Sequence, residues 1–224
     1  MSTDVNDIAV NDIAVNDIEV NGIEVNGIGV NEEAVAAAME IAAVTEPDPL
    51  VGLAVSLLKE IGEDPDRDGL RETPERFARW WREFTDYDPG TVATLFETTT
   101  TGQLVLVSGI EVWSLCEHHL LPFSCSISVA YRSTERLLGL SKFARIAHQH
   151  AHRLQVQERL VADIAADIIR ITGSQDVAVV GHGEHLCMTM RGIRTSARMT
   201  STSINGEFAR AGLARDELLT LLNG

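Results

Sequence analysis

The sequence predicts one α+β domain behind an acidic N-terminal repeat, and three observations predict it. Beyond residue 48, apolar residues recur at helical spacing in some stretches, and in others they alternate or become β-branched, so both kinds of element are expected. The 224 residues are 45% hydrophobic, enough for one substantial domain with its own core. Residues 1–47 follow neither pattern and are dominated by a five-residue repeat.

The repeat reads V-N-D-I-A, V-N-D-I-A, V-N-D-I-E, V-N-G-I-E and V-N-G-I-G without a break from Val5 to Gly29. Five residues advance a helix by about 500°, so an apolar position drifts by about 140° per repeat, and in a strand an odd period changes face each time. Neither element buries a steady stripe. A pentapeptide β-helix is the structured alternative, but five repeats make barely more than one coil. Residues 1–47 are therefore expected to be a disordered acidic tail, and residues 48–224 the folded domain.

Order begins at Asp48, a cap for a helix that opens with Pro49 and shows Val51, Val55, Leu58 and Ile61 on one face before Gly62. After the turn-rich E-D-P-D-R-D-G-L, Thr73 and Pro74 open a second helix, with Phe77, Trp80, Trp81 and Phe84 as its apolar stripe. Residues 103–115 and 125–131 read as a hairpin that delivers C-E-H-H (116–119) at a strand end. Ser141 is expected to cap a helix running to His152. Val156, Leu160, Ile164, Ile168 and Ile171 mark the next helix, closed by Gly173. Strands over 176–190 and about 197–204 and a helix over 215–222 complete the domain.

The chemistry concentrates in two segments. Cys116 and His119, three apart, reach one ion from a tight turn or a single helical turn, leaving His118 to point elsewhere. In E-H-L-C, a strand puts His185 and Cys187 on one face. Two thiolates and one imidazole suit a catalytic zinc site, which keeps its fourth position for water. The plainer alternative makes the cysteines small core hydrophobes and the histidines satisfied core residues. His148 and His152 also share a helical face, but no acidic partner stands near them in sequence and a second metal site is not expected.

Charge and cysteine usage narrow the class further. Of the net −15, residues 1–50 carry eleven acidic groups and no Lys or Arg, so the remaining 174 residues are only mildly acidic. No basic stripe for nucleic acid is present. No apolar run is long enough to span a bilayer and no signal peptide is evident, so a soluble cytoplasmic protein is expected. Three cysteines cannot all pair, and Cys125 is expected in the core.

Four motifs in order, S-L-C-E-H-H-L-L-P-F (114–123), G-L-S-K (139–142), Q-V-Q-E-R-L (155–160) and E-H-L-C-M-T-M-R-G-I-R (184–194), closely resemble those of GTP cyclohydrolase I. The resemblance runs from about Pro49 to the C-terminus. It implies a T-fold, an antiparallel sheet with helices on one face and an N-terminal helical extension, assembled as a toroidal homodecamer. It also implies hydrolysis of the guanine imidazole ring of GTP, with loss of formate and formation of 7,8-dihydroneopterin triphosphate, the first step of folate and pterin biosynthesis. Cys116, His119 and Cys187 would hold Zn²⁺, which activates water for attack at C8. His185 would protonate N7 and His118 would assist the later steps. Glu158 would accept from guanine N1 and the 2-amino group, and Ser141, Lys142, Arg145, Arg191 and Arg71 would bind the triphosphate.

The sequence departs from the family pattern at Cys125, usually glycine, at Arg132-Ser133, usually Ile-Pro, and at Leu154, usually proline. None of these removes a proposed ligand or catalytic group. Two other classes compete with the enzyme reading. A nucleobase deaminase would carry H-x-E together with P-C-x-x-C, a combination that is absent because the chain has no P-C-x-x-C. A non-catalytic T-fold paralogue, binding nucleotide or a protein partner, would be expected to have lost a ligand or His185.

Overall fold

The structure, a computed structural model, describes residues 19–20, 23–24 and 48–223. Within the repeat, β1 (Glu19–Val20) and β2 (Ile23–Glu24) pair antiparallel. The expected disorder of residues 1–47 otherwise falls outside the described residues.

Asp48 caps α1 (Pro49–Glu60) by accepting from the Leu50 N–H at 3.0 Å. Its carboxylate also accepts from Arg82 of α2 (Thr73–Thr85), at 2.8 Å from Nε and 3.0 Å from Nη2. The Arg82 guanidinium, helped by the Leu50 amide, holds the Asp48 carboxyl at about 2, so the cap is ionised at any ordinary pH. One side chain thus starts the first helix and ties it to the second. Along the apolar stripe of α2, Phe84 is buried while Trp80 remains well exposed.

The central sheet has the order β7–β4–β5–β8–β9. Strand β4 (Leu104–Cys116) and strand β5 (Leu121–Arg132) form the expected hairpin, paired from Leu104 opposite Arg132 to Cys116 opposite Leu121 with a register shift between Val107 and Ile110. β5 starts four residues before the expected Cys125, because pairing continues to the rim of the turn. β8 (Val177–His185) and β9 (Met199–Ile204) extend the sheet antiparallel. The two-residue β7 (Leu154–Gln155) lies parallel to the end of β4. A separate two-stranded sheet pairs β3 (Leu95–Glu97) with β6 (Arg136–Leu138).

Two helices bury one face of this sheet. From α3 (Leu140–Ala151) come Phe143, Ile146 and Ala147, and from α4 (Gln157–Thr172) come Leu160, Ile164 and Ile168. They meet Val112, Phe123, Cys125, Ile127, Val129 and Val179, the alternate residues of the strands. Gly139, not Ser141, is the N-cap of α3, and Ser141 sits inside its first turn. Gly173 closes α4 at φ 74°, a left-handed cap that a side chain would strain. Cys125 is buried as expected, and desolvation pushes its thiol up to about 12, which keeps it inert.

Helices do not occupy one face only. Ala130 and Ala178, an opposed pair whose side chains project away from the α3–α4 layer, are covered by Phe208 of a 3₁₀ turn (Gly206–Ala209) and Leu218 of α6 (Leu213–Asn223). Alanines leave room for a helix to approach, which explains why the second face is covered at that end. Ile164 is fully buried at the centre of the main core. Ile164→Ala is expected to cost about 2–5 kcal/mol, read as a drop in the urea midpoint. An unchanged midpoint would place Ile164 outside the cooperative core.

Candidate active site

Cys116 is the last residue of β4, and the chain turns at once: the His119 and Leu120 N–H groups both donate to the Cys116 carbonyl, at 3.2 and 2.8 Å. Leu120 completes the turn at φ 55°, a left-handed conformation that costs a non-glycine residue about 1–2 kcal/mol. The turn is braced from below. Glu117 N–H donates to the Gln155 carbonyl at 3.1 Å, and Arg159 of α4 donates to both the Glu117 carboxylate and the Gln155 side chain.

The second segment differs from the expected strand over 176–190. β8 ends at His185, and Leu186–Thr189 forms one helical turn, α5, with Met190 N–H donating to the Leu186 carbonyl at 3.1 Å. Cys187 therefore reaches the site from a helical turn and not from the strand face it was expected to share with His185. The coil brings its sulfur inward: the ligand atoms of Cys116, His119 and Cys187 lie within 4.8 Å of one another. Two thiolates on one tetrahedral zinc stand about 3.8 Å apart, so the group fits Zn²⁺ with a small contraction. Its charge logic agrees. Burial, then the neighbouring Cys116 sulfur, pushes the Cys187 thiol above its ordinary value, and a dication is what favours its ionised form.

His118 does not point wholly elsewhere. Its Nδ1 stands 3.7 Å from the Cys116 sulfur, exposed beside the ligand group. His185 is buried, stacked on Phe123 with ring centroids 4.5 Å apart and planes 6° from parallel. Desolvation lowers its proton affinity, while the Glu158 carboxylate acts in the opposite direction. Glu158, exposed in the first turn of α4, is next in sequence to Gln157, whose side chain meets His185.

The expected phosphate ligands fall in three places. Ser141, Lys142 and Arg145 share the first turns of α3, where Lys142 donates to the Thr91 carbonyl at 2.8 Å and Arg145 to that of Pro89. Arg191, beyond α5, donates to His119 Nε2 at 2.6 Å and so stands at the ligand group. Arg71 is apart from both, in a surface hollow of about 280 Å³ lined by Arg71, Glu72, Glu75, Arg76 and Arg79.

The H-Q-H-A-H histidines have other partners. His152 stacks between Phe84 and Tyr87 and its Nδ1 is 3.1 Å from the Phe84 carbonyl, while His150 meets Asp167 at 2.9 Å. Among the described residues, only Cys116, His119 and Cys187 form a metal-ligating group.

One buried residue escaped sequence reasoning. Gln157 accepts from His185 Nε2 at 2.9 Å and is itself fully buried. The signal was available: on α4 it stands three and four residues before Leu160 and Val161, a polar residue in the apolar stripe.

Residues 52–223 match the family described as GTP cyclohydrolase I. The GTP cyclohydrolase 1 of Hyperthermus butylicus is 45% identical over 167 residues, 74% of this chain and 86% of that protein. That of Aquifex aeolicus is 44% identical over 168 residues, covering 75% and 91% of the two chains. The Thermoanaerobacter pseudethanolicus protein of the same name is 45% identical over 172 residues, covering 75% and 92%.

Proposed function

The chain belongs to the GTP cyclohydrolase I family, and from that premise we propose that Cys116, His119 and Cys187 hold Zn²⁺ at the hydrolytic centre of a GTP cyclohydrolase I. Its reaction adds one water, releases formate from C8 of guanine and rebuilds the remainder as 7,8-dihydroneopterin triphosphate. The observation that carries this reading is the convergence of two thiol sulfurs and one imidazole at the rim of the sheet, with His185 at the end of the neighbouring strand. When bound there, Zn²⁺ acts as a Lewis acid that makes water a usable nucleophile near neutral pH.

The chain's own side chains do the rest. Glu158 accepts from guanine N1–H and the 2-amino group, a pairing that suits the two oxygens of a carboxylate. His185 gives a proton to N7, which makes the C8–N bond easier to break, and the flat stack on Phe123 keeps its ring from turning. His118 assists the later ribose rearrangement from its place beside Cys116. Lys142 and Arg145, now bonded to neutral carbonyls, exchange them for phosphate oxygens, joined by Ser141 and Arg191. Arg71 completes the phosphate site from a neighbouring subunit.

The active form is a toroidal homodecamer whose pockets are shared between subunits. Exposed Leu53, Ile61, Leu140 and Ile193, apolar side chains that water solvates poorly, support burial in such an assembly. Residues 48–224 are the catalytic domain and residues 1–47 an appended tail. No helix among the described residues is long and apolar enough to cross a membrane.

Incubation of the zinc-loaded protein with GTP, following formate and pterin fluorescence together, tests the function. Protein that binds zinc and GTP yet releases no formate would favour the non-catalytic paralogue. Glu158→Ala is expected to lower kcat/KM for GTP by about 100-fold or more, since two hydrogen bonds to a charged acceptor are lost. A change below about threefold would remove Glu158 from the guanine site.

A further inference from the structure

His185 can work as an acid only at the nitrogen that faces the substrate, and the fold decides which nitrogen that is. Gln157, the first residue of α4, is fully buried against β8 and β9. Its amide nitrogen donates to the Gly181 carbonyl at 2.9 Å, the Met199 carbonyl at 3.2 Å and Ser201 Oγ at 3.0 Å. Two of these partners are backbone carbonyls, which only accept. Turning the amide over would set its oxygen against both of them, so the NH₂ end is bound to face the strands. The oxygen is then left pointing at His185 Nε2, 2.9 Å away. An amide oxygen only accepts, so Nε2 must carry a hydrogen. Nδ1 has no hydrogen-bond partner among the described residues and is not sealed from solvent.

We infer that Gln157 is a positioning residue that holds His185 as the Nε2–H tautomer, leaving Nδ1 as the atom that takes up and gives the proton in the reaction. Locking the tautomer prevents the ring from presenting a hydrogen-bearing, non-basic nitrogen to the site, and the Phe123 stack stops it from flipping. Gly183 belongs to the same device. A Cβ built on it would stand 2.0 Å from Gln157 Oε1 and 2.9 Å from Cδ, so only glycine at this point of β8 lets the amide reach His185. Sequence proximity hides the arrangement: Gln157 precedes the substrate-facing Glu158, yet it points the opposite way, into the core.

This inference rests on the proposed acid role of His185, and the experiment separates the two. Zinc-loaded, ¹⁵N-histidine-labelled protein is examined by solid-state ¹⁵N spectroscopy above neutral pH, the His185 signals being assigned by their loss in His185→Ala. The wild type is expected to show a protonated Nε2 and a bare Nδ1, and Gln157→Met a mixture of tautomers. Gln157→Met, which keeps length and removes the acceptor, is expected to lower kcat by about tenfold or more, part of the 10²–10⁴ that a positioned acid contributes. KM for GTP should stay within about twofold and zinc content should not change. Gly183→Ala, which displaces the amide without removing it, should give the same pattern. A wild-type His185 bearing its hydrogen on Nδ1 would overturn the inference, as would an unchanged kcat in Gln157→Met or a loss matched by raised KM or lost zinc. Should His185→Ala release formate at the wild-type rate, the acid role fails by itself, and the spectrum still decides whether Gln157 sets the ring.

Discussion

Cys187→Ala is expected to purify with less than stoichiometric zinc and to release formate at least about 10³-fold more slowly than the wild type. The metal contributes several kcal/mol of charge stabilisation to the transition state, and each 1.36 kcal/mol is a factor of ten in rate. With Cys187 gone, two of the three proposed ligands remain, and a two-ligand site holds zinc weakly against solvent. Cys187 is the informative ligand to remove because it is only partly buried on a one-turn helix, so truncation leaves little cavity. Cys116 sits deeper, at the end of β4, where the same change also disturbs packing. Metal analysis with a formate assay reads both quantities, and the far-ultraviolet circular dichroism should not move. Full zinc and full activity in Cys187→Ala would remove it from the ligand set. Dialysis of the wild type against a strong chelator should reproduce the loss, and added Zn²⁺ should reverse it.

His185→Ala is expected to keep its zinc and to lose about 10² to 10⁴ in kcat, the usual contribution of a positioned proton donor. KM for GTP should change little, because the proposed anchors, Glu158 and the cations, act on the ends of the substrate and not on the C8–N7 bond where His185 is proposed to act. The split between kcat and KM marks the residue as acting on the reacting atoms. It also distinguishes His185 from Glu158, whose removal should weaken binding as well. Burial of the truncated position means that thermal unfolding should be recorded beside the kinetics. A variant that folds, binds zinc and turns over GTP normally would transfer the acid role to another group, with His118 the nearest alternative.

Much of the architecture was legible because its signals are local. Asp48 with Pro49 marks a helix start and Gly173 a helix end by their own backbone chemistry, and both stand where expected. The stripe from Leu160 to Ile168 had to face a core whatever that core was. The misreadings came where local chemistry permits two answers. Ser141 is an able cap, but the chain enters α3 two residues earlier, at Gly139, whose N–H donates to the Thr94 carbonyl beside the β3–β6 pair. The apolar run through E-H-L-C fits a strand, yet the chain coils after His185. The covering of the Ala130–Ala178 face by α6 depends on where a distant segment returns.

By itself the sequence determined the composition of the site: which sulfurs, imidazoles, carboxylates and cations exist, and at which spacings. Those are properties of short segments and survive any arrangement of the rest. The tertiary structure alone decided which atoms meet. It joined the turn after β4 to the turn after β8 so that Cys116, His119 and Cys187 share one point, and it placed the Gln157 amide against His185. Both are contacts between residues 28 or more positions apart, and no local preference encodes a distance across a sheet. Pairing of β5 with β8 and packing of α4 on their shared face set those distances, through burial of side chains that take no part in the chemistry.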